Sequence, residues 1–162
     1  MTVDDIMTTQ PVIPVITIDR VEDAAPLAEA LVGAGLRVLE VTLRTPAALE
    51  AMREMAKVKG AIVGAGTVIS AKDVDTAIRH GATFIVTPGL SRSAVSAAAT
   101  AGVPILPGIA TATELMAGIE LGLTRFKFFP AEANGGIPAL KAIAGPFGMV
   151  RFCPTGGITA QT

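Results

Sequence analysis

Lys127 stands in the run Arg125-Phe126-Lys127-Phe128-Phe129-Pro130, with phenylalanine on both sides of it. Side chains of an extended strand alternate between faces, so Lys127 projects opposite Phe126 and Phe128. Apolar surroundings disfavour an ammonium ion, and a neutral amine attacks a carbonyl carbon to form a Schiff base. The plainer alternative is a lysine snorkelling from an edge strand, or one paired with a carboxylate. A second run, Arg37-Val38-Leu39-Glu40-Val41-Thr42-Leu43-Arg44, puts Glu40, Thr42 and Arg44 on one face and Leu39, Val41 and Leu43 on the other. A buried glutamate costs several kcal/mol unless it is paired or protonated, so the charged face must look into a polar space. A third stretch, Pro154-Thr155-Gly156-Gly157-Ile158, has paired glycines. Their exposed backbone N–H groups can cradle a phosphate, although a plain turn has the same composition.

Other residues with chemical potential read as structural. His80 directly precedes Gly81 at the end of a helical segment, where an imidazole faces the negative end of the helix dipole. Cys153, the one cysteine, reads as strand packing and has no partner for an intramolecular disulfide. Asp4 and Asp5 read as solvated positions on a short N-terminal helix. No His, Cys or carboxylate cluster has metal-ligand spacing, so no metal is expected. Gly64-Ala65-Gly66-Thr67 carries only two glycines of the dinucleotide fingerprint, with Ile69 in the third position, and it follows the third apolar run rather than the first. No glycine is followed by Lys and then Ser or Thr, which excludes a Walker loop.

Groups this far apart in sequence need a scaffold to bring them together. Short apolar runs recur at residues 11–18, 38–43, 61–68, 84–88, 104–109, 125–129 and 151–154. Runs of this length bounded by turn residues read as strands buried on both faces, as in a parallel sheet. Helical segments rich in Ala and Leu separate them at 21–34, 47–57, 71–80, 93–101, 112–121 and 137–144. Thr45 before Pro46 reads as a cap followed by proline in the first turn. Thr111 with Glu114, and Ser70 with Asp73, have capping-box spacing. Glycines 35, 60, 81, 102 and 122 recur at intervals of 25, 21, 21 and 20 residues, a periodicity of stacked strand–helix units. Two architectures fit such alternation, a (β/α) barrel and an open doubly wound sheet. In a barrel, the polar face of residues 40–44 and the turn after the seventh run would both lie at the C-terminal mouth, where barrel sites form.

Composition narrows the class. The 162 residues bound the chain to one domain. With 51% hydrophobic and 17% charged residues the chain can bury a core and is not disordered. Thirteen basic against fourteen acidic residues, no Trp and no Tyr leave little with which to hold nucleic acid. No apolar stretch is long enough for a membrane span and no targeting segment precedes the first run, so a cytoplasmic enzyme is expected.

Four motifs in series resemble one family. They are Val38-Leu39-Glu40-Val41-Thr42-Leu43-Arg44-Thr45, Val63-Gly64-Ala65-Gly66-Thr67-Val68, Phe126-Lys127-Phe128-Phe129-Pro130-Ala131-Glu132 and Val150-Arg151-Phe152-Cys153-Pro154-Thr155-Gly156-Gly157-Ile158. They are similar to those of the 2-keto-3-deoxy-6-phosphogluconate aldolases, from about residue 11 to the end. The resemblance implies a class I aldolase on a (β/α)8 TIM barrel, a homotrimer needing no metal or cofactor. It implies cleavage of the phosphorylated keto acid to pyruvate and glyceraldehyde 3-phosphate, with activity on 4-hydroxy-2-oxoglutarate in some members. It assigns the Schiff base to Lys127, general acid–base work to Glu40, and the pyruvyl carboxylate to Arg44 and Thr67. Pro88, Phe129 and Thr155 would line the pyruvate pocket, and Gly156 and Gly157 the phosphate site. A phosphogalactonate-cleaving relative is the alternative within the fold.

Counted against that barrel, the runs predict seven strands and six connecting helices, so that residues 1–162 would form a single barrel domain lacking its C-terminal unit. Strands one and seven would then carry open edges, and half the phosphate site would be absent. A non-catalytic reading follows, a disabled barrel serving as an assembly or binding unit. Intact Lys127, Glu40, Arg44 and Thr67 argue against it.

Overall fold

A computed structural model of the chain describes residues 1–161. A short helix α1 (Val3–Thr8) precedes β1 (Val15–Ile16), α2 (Ala24–Gly33), β2 (Val38–Thr42), α3 (Ala48–Ala56), β3 (Ile62–Gly66) and α4 (Ala71–Arg79). Then come β4 (Ile85–Val86), α5 (Arg92–Ala101), β5 (Ile105–Leu106), β6 (Gly108–Ile109), α6 (Ala112–Glu120), β7 (Arg125–Phe128), α7 (Gly136–Ala144) and β8 (Arg151–Pro154). Every ladder is parallel: β1 to β5 form one sheet in sequence order, and β6, β7 and β8 form a second.

The expected count of seven strands and six helices is therefore corrected to eight strands and seven helices among the described residues, a largely complete barrel. Two physical causes account for the difference. Pro107 has no N–H to give a ladder, so the run at 104–109 divides into β5, which pairs with β4, and β6, which pairs with β7. The Pro107 carbonyl still accepts from Lys127 N at 2.9 Å, which carries the wall across the break. The seventh helix is α1, which lies before the first strand and connects nothing.

The two-architecture ambiguity is settled by a single contact. β2 and β7 stand four strand spacings apart along the wall, roughly 19 Å if the sheet were flat. Their side chains Glu40 and Lys127 meet at 3.2 Å, so the wall curls into a barrel. Alternation then sorts the residues as expected. Leu39 and Val41 face outward into a core with Met52 and Met55 of α3 and Ala24 and Ala28 of α2. Phe126 and Phe128 face outward with Leu115 of α6. Glu40 and Lys127 point inward.

Inside, a smaller cluster of Ile6, Val38, Phe84, Val86 and Leu106 fills the N-terminal end of the barrel. α1 acts as its stopper. Thr2 and Asp5 form a capping box, Asp4 pairs with Arg125 at the start of β7, and Gln10 bonds both N and O of Val38. Ile6 is the buried residue of this helix. Ile6→Ala should lower stability by about 2–5 kcal/mol, the range for deleting a buried aliphatic side chain. Asp4→Asn at the exposed ion pair should cost under about 1 kcal/mol. Urea unfolding of the two variants checks both values.

The predicted caps at Ser70 and Thr111 are present, the latter as a full capping box with Glu114. Thr45 does otherwise. α3 starts at Ala48 without a side-chain cap, and the Thr45 hydroxyl donates to the Ile18 carbonyl, tying the loop after β2 to the segment after β1. No helix among the described residues is long and apolar enough to cross a membrane.

Candidate active site

Glu40 sits at the middle of β2, in register with Val15 on β1 and Gly64 on β3. Lys127 lies on β7, in register with Gly108 on β6 and Cys153 on β8. Both charged side chains are about 6% exposed, and Lys127 Nζ donates to Glu40 Oε1 at 3.2 Å. Each ion thus answers the desolvation of the other, which would cost several kcal/mol if either stood alone. The same carboxylate is placed to accept the proton that the amine must lose before it can act as a nucleophile. The Phe129 ring lies 5.1 Å from Nζ, within cation–π reach, and the Phe129–Pro130 peptide is cis.

A cavity of about 560 Å³ opens over this pair. Glu40, Arg44, Lys127, Phe129, Thr155, Gly156 and Gly157 all line it. Its remaining wall is largely apolar, with Phe84, Val86, Leu106 and Phe152 among its residues. Arg44, just past the end of β2, is exposed at the mouth, and its Nε donates to Thr67 Oγ1 at 3.1 Å. Thr67 follows β3 with φ of +59°, a conformation uncommon for a residue with a β-branched side chain. Its bond to Arg44 leaves the other guanidinium nitrogens available to an anion.

Thr67 and Pro88 do not line the cavity itself. Thr67 joins the site through Arg44, whereas the Pro88 backbone packs against the inward face of Gly108. Thr87 supports that packing: its buried hydroxyl donates to Gly89 O and accepts from Gly108 N. At the far rim, Thr155 N donates to Phe128 O, Ala131 N to Thr155 O and Glu132 N to Gly156 O, so the β7–β8 ladder runs on into the glycine turn. Gly156 and Gly157 adopt φ of +103° and +78°.

Three features escaped the sequence reading. Cys153 is more than strand packing, since its register with Lys127 puts it on the cavity wall. Burial pushes its thiol above the ordinary cysteine range, so it is a poor nucleophile at neutral pH. Thr42 was placed on the polar face, but its hydroxyl is bound to Thr17 and to the Ile16 carbonyl and serves to lock β1 to β2. Gly66 leaves room for the Glu40 side chain, and Gly64 for the Phe84 ring. His80 ends α4 with Nδ1 on the Thr76 carbonyl, and no group of three or more metal-ligating side chains occurs among the described residues.

Comparison with protein families matches residues 3–162 to the KDPG and KHG aldolases. The KHG/KDPG aldolase of Escherichia coli (strain K12) is 55% identical over 157 residues, covering 96% of this chain and 74% of that protein. The crystal structure of the 2-keto-3-deoxy-6-phosphogluconate aldolase of Zymomonas mobilis ZM4 with 3-phosphoglycerate is 55% identical, with a TM-score of 0.95 over 97% of this chain and 75% of that one. The KDPG aldolase of Legionella pneumophila, with pyruvate captured at low pH as a covalent carbinolamine intermediate, is 48% identical, with a TM-score of 0.92 over 96% of this chain and 76% of that one. A buried lysine–carboxylate pair at the heart of a parallel barrel, and a match along nearly the whole chain, lead to one conclusion: the chain belongs to the KDPG and KHG aldolase family.

Proposed function

We infer that the chain is a class I aldolase that reversibly cleaves 2-keto-3-deoxy-6-phosphogluconate to pyruvate and glyceraldehyde 3-phosphate. The observation that carries this is the Lys127–Glu40 contact at 3.2 Å, buried and open to a cavity of about 560 Å³. Lys127 gives its proton to Glu40 and attacks the C2 ketone, forming a carbinolamine; Glu40 returns the proton to the carbinolamine hydroxyl, which leaves as water, so that an iminium and a free carboxylate remain. The iminium withdraws electrons from C3. Glu40 takes the C4 hydroxyl proton, the C3–C4 bond breaks, and the aldehyde leaves while its bonding pair remains as the enamine. A proton returned to C3 restores the iminium, and water releases pyruvate. The iminium is itself the electron sink, so the scheme calls for no metal or organic cofactor.

Arg44, held by Thr67, would grip the pyruvyl carboxylate and fix the reacting carbon over Nζ. Phe129 and Thr155 border the pyruvyl end, and Pro88 shapes it through Gly108. The N–H groups of Gly156 and Gly157 would receive the phosphate. The family name of the Escherichia coli relative supports 4-hydroxy-2-oxoglutarate as a second substrate. A homotrimer in the cytoplasm is the assembly and location that the family resemblance supports.

Release of pyruvate from the phosphorylated keto acid, followed through lactate dehydrogenase, tests the activity; no release above the buffer rate would refute it. The phosphate assignment has its own check. A methyl group at Gly157 would come 2.7 Å from Glu132 Cβ on a backbone of φ +78°, so the turn must move. Gly157→Ala should raise KM for the phosphorylated substrate about tenfold or more, the scale of lost hydrogen bonds to a charged group. It should leave KM for 4-hydroxy-2-oxoglutarate, which has no phosphate, nearly unchanged. Equal changes for both substrates would remove the turn from phosphate binding.

A further inference from the structure

We propose that Gly66 is a positioning residue for catalysis, the floor that sets where the Glu40 carboxylate stands relative to Lys127. The proposal rests on the aldolase reading above. Glu40 is in register with Gly64, and Gly66 is in register with Thr42. The Glu40 side chain does not lie over its own register partner. A Cβ built on Gly66 would lie 2.7 Å from Glu40 Cγ and 2.9 Å from Cδ, and closer still to Oε1. The carboxylate therefore leans one step along the strand toward the C-terminal mouth and rests on the bare backbone of Gly66. A Cβ on Gly64, by contrast, would run into the Phe84 ring, which is a core contact. The two glycines of β3 clear space for two different groups, and only Gly66 clears it for the acid–base residue.

This space is needed because of where the amine is. Lys127 reaches across the barrel from β7, and its Nζ contacts Oε1, the oxygen nearest the Gly66 floor. Gly66 φ is not in the left-handed region, whereas Gly60 and Gly81 at helix ends are. Backbone conformation thus does not require glycine at position 66; the approach of the carboxylate does. Any side chain there lifts Glu40 toward the cavity and changes its distance to both the amine and the substrate hydroxyl. A displacement of about 1 Å in a reacting group can cost about 10²-fold in rate.

Four proteins test the idea: wild type, Gly66→Ala, Glu40→Gln and the double variant. Each is assayed for borohydride trapping of pyruvate on Lys127 and for kcat and KM of cleavage. In G66A, trapping should stay within about twofold and KM should change little, while kcat falls between about tenfold and about 10²-fold. In the Glu40→Gln background, Gly66→Ala should bring no comparable further loss, because residues acting through one group are not additive. A loss of the same factor in both backgrounds, or no loss of kcat in G66A, overturns the proposal. If G66A does not fold, Glu40→Ala/Gly66→Ala decides. It should melt close to Glu40→Ala alone, since the clashing side chain is gone, and failure of the double variant to fold overturns the proposal. Absence of trapping and turnover in the wild type would instead refute the aldolase reading.

Discussion

Borohydride added to the chain in the presence of pyruvate should leave a carboxyethyl group on Lys127 and on none of the other four lysines. Lys57, Lys59, Lys72 and Lys141 are all exposed. None of them lines the cavity shared by Glu40 and Arg44, so no keto acid is held against their amines. Lys127 differs in three ways that act together. Its amine is about 6% exposed, a carboxylate 3.2 Å away can take its proton, and it opens on a cavity bordered by Arg44, which can hold the pyruvate carboxylate. Positioning of this kind is worth several powers of ten in effective concentration. Peptide mass mapping after reduction reads the site directly. An adduct spread over the surface lysines, or none on Lys127, would exclude the Schiff-base mechanism. Lys127→Met should abolish both adduct and turnover. It should also destabilise the fold by about 3–5 kcal/mol, because it leaves the Glu40 carboxylate buried without its counter-ion. Combining it with Glu40→Gln should recover much of that stability without any activity, which separates the chemical role of the lysine from its structural one.

The parts of this site that could be read in the sequence are those set by local periodicity. Alternation over residues 38–44 places Glu40 inside and Leu39 and Val41 outside, and the phenylalanines around Lys127 do the same for β7. Such patterns need only the period of a strand. What could not be read is set by the far wall. Nothing local to residue 40 says that residue 127 will face it, and alternation alone leaves open sheet and barrel equally possible. The strand count failed for a local reason. Two prolines in the fifth run were visible, but the run reads as apolar throughout, and only the ladder shows that Pro107 hands the wall from β5 to β6. Thr45 failed through competition, since a carbonyl from the loop after β1 took the hydroxyl that propensity assigns to a helix cap. The Gly64–Gly66 pair matches part of a nucleotide fingerprint and lacks its third glycine. Its actual signal is that glycines two apart in a strand share a face and leave that face empty, which is informative only when a large group is known to lie opposite.

Glu40→Gln should keep imine formation and lose aldol turnover by about 10²-fold or more, the range for removing a general acid–base group. Glutamine has the shape of glutamate, so it can rest on Gly66 and fill the same space opposite Lys127. It cannot accept a proton. For the first step this matters little. The amine still opens on the cavity beside the Phe129 ring, and Arg44 still borders the space that the keto acid enters, so attack on the ketone continues. The iminium of pyruvate should therefore still accumulate and be trapped by borohydride. For the second step the loss is direct. Breaking the C3–C4 bond requires that a proton leave the C4 hydroxyl as the electrons move into the iminium, and among the described residues Glu40 is the one carboxylate lining the cavity. Water can take the proton only at a rate set by its own weak basicity. Trapped adduct and pyruvate release, measured on one preparation, should therefore separate by two orders of magnitude in the variant and run together in the wild type. If both fall equally, Glu40 serves only to prepare the amine; if neither falls, the proton is taken by another group. Return of the proton to C3 gives a second reading of the same role. Exchange of the pyruvate methyl hydrogens in deuterated water needs the imine and the base but no bond cleavage. It should slow in Glu40→Gln by the same factor as cleavage, because one carboxylate does both jobs.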